Sequence, residues 1–117
     1  MPKRTISPIS LPSEATDLLH TIALAVRQAR FRRRWPQRLL AEKAGVSTRV
    51  VQAIEAGRAG TSAGHLLAVL WALRLTAPLH ALGDPASDHE GRALAALASS
   101  RQRARAPRGS SDLDTEF

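Results

Sequence analysis

The chain has 117 residues, enough for one domain with a modest core and flanking segments, and too few for two catalytic lobes. Seventeen Lys and Arg stand against ten Asp and Glu, a net charge of +7, so a polyanion is the first partner to consider, nucleic acid ahead of an acidic membrane surface. The absence of cysteine excludes a disulfide scaffold, a thiolate zinc site and thiol catalysis, and no apolar run reaches the ~18 residues of a membrane span or resembles a signal peptide, so a cytoplasmic protein is expected.

Residues 1–12 hold Pro2, Pro8 and Pro12 and read as an extended, flexible leader. Ser13 then stands as an N-cap, with Glu14 and Asp17 following, and Leu18, Ile22, Val26 and Ala29 give a first amphipathic helix an inner face as far as about Arg33. Trp35-Pro36 interrupts it, because proline lacks the N–H that a continuing helix needs and suits the start of a new one; Gln37 to Ala44 form the second helix. Gly45 ends that helix. Ser47 caps a third helix, Thr48 to Ala56, closed by Gly57. Ser62 caps a fourth helix through Arg74, and Thr76-Ala77-Pro78 opens a short fifth, Leu79 to Leu82. Ser87 and Glu90 have capping-box spacing and precede a sixth, Ala/Leu-rich stretch to about Ser99. No repeat and no strand-like alternation occurs, so the fold class is all-α. The expected organisation is a leader (1–12), a domain (13–83), a helical extension (84–100) and a disordered basic/acidic tail (101–117).

The charge is concentrated. Residues 27–58 carry +7, residues 101–108 carry +4 and residues 109–117 carry −3. The central block coincides with the second and third helices. There Leu40, Ala41 and Ala44 face inward from one helix and Val51 and Ile54 from the next, Val46 fills the corner, and Gly45 supplies a positive-φ turn. Thr48, Arg49, Gln52 and Ala53 are left on the outer face of the third helix. Hydroxyl, guanidinium and amide groups near a helix N-terminus suit base edges in a major groove, where Arg pairs with guanine and Gln with adenine. The pattern predicts a helix-turn-helix that reads double-stranded DNA.

The segment Q-x-x-L-A-E-K-A-G-V-S-x-x-x-V-x-x-I-E-x-G, Gln37 to Gly57, resembles the Cro/cI-type, XRE-like family of bacterial and phage regulators, with the likeness extending over roughly Ile22 to Leu82. The resemblance implies a five-helix, lambda-repressor-like domain and a transcriptional repressor with no enzyme activity and no cofactor, acting as a homodimer on a palindromic operator. Carried across, Gln37 matches the position that braces the DNA backbone and the recognition helix, Thr48, Arg49, Gln52 and Ala53 match groove-facing positions, and Glu55 matches the acidic position before the glycine. The Leu-rich stretch beyond Gly57 resembles HipB-like antitoxins, which implies a HipA-like kinase toxin as partner and repression of the shared operon. The chain departs from the pattern at Pro36, where the family has a capping Ser or Thr, and Ala53 offers a base no hydrogen bond.

Beside the recognition helix, Arg27, Arg30, Arg32, Arg33, Arg34 and Arg38 read as a phosphate-contacting band joined by Lys43 and Arg58, in preference to a merely solvated face. Trp35 reads as core filler in preference to a base-stacking residue. The fourth helix is apolar nearly all round, which leaves two readings: packing against the sixth stretch, or a twofold interface at Trp71, Leu75 and Leu79. Arg101, Arg103, Arg105 and Arg108 read as a solvated tail or as an arm for DNA or an acidic partner. The histidines lack metal spacing, Ser87-Asp88-His89 cannot converge as a triad, and Gly57, Gly60 and Gly64 lack a phosphate loop's Lys-Ser/Thr ending. The competing function is a protein-interaction module that holds and inhibits a partner, with DNA contact secondary.

Overall fold

A computed structural model describes residues 10–105; the expected leader up to residue 9 and the tail from residue 106, Arg108 included, lie outside the described residues. Among the described residues the chain is all-helical and has no strand. Its elements are α1 (Ser13–Arg32), α2 (Gln37–Ala44), α3 (Thr48–Glu55), α4 (Ala63–Ala72) and α5 (His89–Arg105), with 3-10 segments at Ala77–Gly83 and Pro85–Ser87. The chain divides into two compact units at Ala77/Pro78, ahead of the expected domain end at residue 83.

The first unit owes its corners to one device used four times. Each of α1 to α4 stops at a left-handed residue: Arg34 (φ 54°), Gly45 (φ 73°), Gly57 (φ 71°) and Arg74 (φ 59°). In each case the next residue's N–H reaches back five positions, Trp35 to Arg30 O (3.2 Å), Val46 to Ala41 O (3.0 Å), Arg58 to Ala53 O (3.1 Å) and Leu75 to Leu70 O (2.8 Å). The left-handed residue's own N–H closes the shorter ring, which completes the Schellman pattern and satisfies carbonyls that a helix end leaves without partners. The two glycines are legible in the sequence. Arg34 and Arg74 carry no such signal, since a side chain there opposes the conformation; Arg74 is thus a stop and not the last helical residue.

At the N-termini, Ser47 Oγ accepts from Val50 N (3.2 Å) and Ser62 Oγ from His65 N (3.1 Å), as expected. Ser13 does not cap α1. Pro12 occupies that position without a side-chain bond, and its carbonyl accepts from Thr16 N at 3.0 Å. Pro36 starts α2 in the same way, its carbonyl accepting from Leu39 and Leu40.

The core consists of Ala23, Val26 and Ala29 of α1, Leu40 and Ala41 of α2, Val51 and Ile54 of α3, and Val69, Leu70 and Leu73 of and just after α4. Leu18, expected inward, is exposed. Val26 and Ala29 are buried as expected and Ile22 is half-buried, and Ala23 and Arg30 join the buried face of α1. Among the described residues no aromatic ring is buried, and Phe31 and Trp71 are 54% and 67% exposed.

In the second unit, the segment expected as a short α-helix at Leu79–Leu82 is a 3-10 turn with no buried residue. The expected Ser87–Glu90 capping box does not form: Asp88 Oδ1 accepts from Gly91 N (3.0 Å) at the start of α5, and Ser87 Oγ donates to Asp84 O (2.8 Å). Residues 101–105, expected as disordered tail, continue α5, since Arg, Gln and Ala favour helix and Arg103 and Arg105 complement its C-terminal dipole.

Replacing Arg34 or Arg74 by Gly is expected to raise stability by about 0.5–1 kcal/mol, the left-handed penalty less the entropy of glycine. Gly45→Ala, with open space around its Cβ, should lose about 1 kcal/mol on backbone grounds alone. Urea unfolding of the three variants checks both signs.

Candidate nucleic-acid interface

Val51 and Ile54 turn one side of α3 into the core, so at 100° per residue Arg49, Gln52, Ala53 and Ala56 fall on the opposite arc. Arg49 and Gln52 are exposed; Thr48 and Ala53 are half-buried. The expected reading face is therefore open at its two hydrogen-bonding residues, while Ala53 contributes only a methyl group.

The orientation of α3 is fixed at its far end. Glu55 is buried, with 6% of its side chain exposed, and accepts from two other helices at once. Arg30 of α1 meets it bidentately, Nε to Oε2 at 2.7 Å and Nη2 to Oε1 at 2.8 Å, and Gln37 of α2 donates from Nε2 to Oε1 at 3.2 Å. Arg30 also donates from Nη1 to Trp35 O at 3.0 Å, so one guanidinium ties the α1–α2 joint to the end of α3. Charge-assisted, forked bonds of this kind are short and directional. Arg30 accordingly does not belong to the phosphate band in which the sequence puts it: it is 7% exposed and fully engaged. Gln37, matched by resemblance to a bracing position, braces α2 against α3 through Glu55.

The remaining cations of the band lie on the surface. Arg32, Arg33, Arg34, Arg38, Lys43 and Arg58 are all exposed, and the one ion pair among the described residues is Arg30–Glu55. Arg33 is exposed yet anchored, donating to Ala29 O (2.8 Å) and to Leu73 O (2.9 Å) beyond the end of α4. Trp35 is half-buried, with Lys43 Nζ 4.8 Å and Arg33 Cζ 5.7 Å from its ring centroid. It is a platform for cations and not the plain core filler expected. Phe31 stands in the same relation to Arg27 and Arg30, at 5.5 and 4.7 Å.

Of the residues expected at a subunit interface, Trp71 is exposed, with Leu67 beside it at 49% exposure, while Leu75 and Leu79 are half-buried. His20 is unforeseen: its Nδ1 lies 2.6 Å from where a Cβ on Gly57 would sit, so the ring lies across the stop of α3. A cavity of about 40 Å³ between α1, α3 and α4 is lined by Leu19, Ile22, Ile54 and Leu66 with Thr61, whose buried hydroxyl has no partner. Among the described residues no cluster of His, Asp and Glu is arranged to hold a metal, and no helix is long and apolar enough to cross a membrane. Comparison with protein-family models, with characterised proteins and with solved structures finds no match.

Glu55→Ala strands a buried guanidinium and is expected to cost about 3–5 kcal/mol in urea unfolding. The double substitution Arg30→Met/Glu55→Met, which removes both charges and keeps volume, should cost far less than the sum of the single losses.

Proposed function

We propose that the chain is a sequence-specific double-stranded DNA-binding regulator, a repressor of Cro/cI-like fold in which α2 and α3 form the helix-turn-helix and α3 enters the major groove. The observation that carries this reading is the state of α3. Its inner side is packed, its end is clamped through Glu55 to α1 and α2, and its outer side presents Arg49 and Gln52 to solvent. A reading helix needs both properties, since base-edge hydrogen bonds discriminate only when the donors are held in register. Arg32, Arg34, Arg38 and Arg58, exposed and without an ion-pair partner among the described residues, supply the sequence-independent attraction that such binding requires. The apolar residues Trp71, Leu75 and Leu79 extend the proposal to a homodimer on a palindromic operator, located at the bacterial nucleoid. Its antitoxin branch adds a HipA-like kinase toxin and autoregulation of the operon. The proposed mechanism needs no cofactor and no catalysis.

A second reading, a module that binds and inhibits a partner protein, is favoured by one specific observation. Leu67 and Trp71 on α4, and Leu94 and Leu97 on α5, remain about half exposed or more, and uncovered apolar surface is what a protein partner would bury.

The test is selection of duplexes from a random pool by the purified protein at ~150 mM salt, where nonspecific attraction is damped. Recovery of an inverted repeat supports a dimeric, base-reading regulator; retention without any motif overturns it in favour of the second reading. On the recovered site, Arg49→Ala should lose discrimination at one base pair by about 1–3 kcal/mol, whereas Arg38→Ala should weaken all duplexes alike and reduce the log–log salt slope by about 0.9.

A further inference from the structure

The Trp35 platform lies at the joint between α1 and α2, and it has an arrangement that core packing does not require. Lys43 Nζ and Arg33 Cζ both stand within the range of cation–π attraction of its ring. Arg33 is further fixed by the carbonyls of Ala29 and Leu73. No carboxylate among the described residues pairs with Arg33, Arg34, Arg38 or Lys43. At Arg34 the chain tolerates a left-handed backbone in a residue that is not glycine, and so keeps another cation at this corner. Lysine is ordinarily the most loosely held of surface cations, a hydrated point charge on a four-carbon stem. Here the indole holds it in place before any ligand arrives.

We propose that Trp35 is a positioning residue that presets Lys43 and Arg33 as a clamp for the phosphodiester backbone of duplex DNA. The ligand class follows from the cluster. Several uncompensated cations gathered at one joint suit a chain of regularly spaced anions better than a single small one, and presetting removes the ordering cost that a free lysine incurs on binding. The inference rests on the DNA-binding reading above and adds a residue that never meets a base. Because the clamp reads no sequence, its effect falls equally on operator and random duplex.

The experiment is fluorescence anisotropy of labelled duplexes, operator and scrambled, titrated with the full chain over a range of salt, with circular dichroism melts of each variant. Trp35→Leu is expected to weaken binding to both duplexes by about two- to tenfold, the ordering cost of a long side chain, and to lower the salt slope by up to about 0.9 as Lys43 ceases to neutralise a phosphate. Trp35→Phe, which keeps a π face, should recover most of both. Lys43→Gln alone should match Trp35→Leu, and adding Lys43→Gln to Trp35→Leu should cost little more. Additive losses overturn the clamp, and an unchanged affinity and slope in Lys43→Gln overturns it even if Trp35→Leu fails to fold. If the wild-type chain binds no duplex even at ~50 mM salt, where nonspecific attraction is strong, the DNA-binding reading falls and takes the clamp with it, an outcome distinct from binding that ignores these substitutions.

Discussion

Glu55 lies at the end of an eight-residue helix and receives hydrogen bonds from two others, and the geometry of the first unit depends on that convergence. The apolar core alone is a weak determinant of how α3 is turned. Its largest fully buried side chains are Leu40, Leu73, Val26, Val51 and Val69, each contributing about 1.5–3 kcal/mol through an effect without direction. A forked ion pair has direction. With desolvation set against attraction, such a pair adds little net stability, and its use lies in selecting one arrangement among several that bury similar area. Arg30 and Glu55 thereby fix the rotation of α3 about its axis, and with it the direction in which Arg49 and Gln52 point.

The same pair divides the basic residues into two populations. Arg30 is consumed internally, and Arg33 is half committed through backbone carbonyls. The others are exposed and have no ion-pair partner among the described residues. A fold under pressure for stability alone would scatter acidic residues among them; residues 27–58 hold only Glu42 and Glu55. The second unit contrasts with this. It has no buried residue among its helical elements, so α5 stands on intrinsic propensity and its end charges, a marginal footing for a helix of this length.

Much of the first unit was legible because its signals are local. The bounds of α2 follow from Pro36 and Gly45, and the starts of α3 and α4 from Ser47 and Ser62, each a residue whose short-range bonding defines a helix end. What escaped depends on distant partners. On α1, Val26 and Ala29 are legible as inner residues, but Arg30 is counted as surface, and Glu55, twenty-five residues on, is what makes its burial tolerable. Trp35 reads as filler because its cations meet it only once the chain folds, Arg33 from the end of α1 and Lys43 from the last turn of α2. The left-handed stops at Arg34 and Arg74 are invisible for the opposite reason: the conformation is local, but tertiary packing and not residue preference imposes it. At the candidate site, the outward arc of α3 follows from period alone, whereas the bracing of Gln37 on Glu55 reaches the sequence only through resemblance.

The four matching helix stops bear on how the chain reaches this structure. Each is closed by hydrogen bonds spanning at most six residues, so α1 to α4 can define their own ends and corners early, while most tertiary contacts are still open. Folds dominated by such short-range closures collapse quickly, since little loop entropy is lost before contacts reward it. The Arg30–Glu55 bond and the reach of Arg33 to Leu73 join residues twenty-five and forty apart, so each loses more loop entropy than any of the four stops. Short-range closure shapes the corners of the first unit, and long-range closure sets how those corners meet.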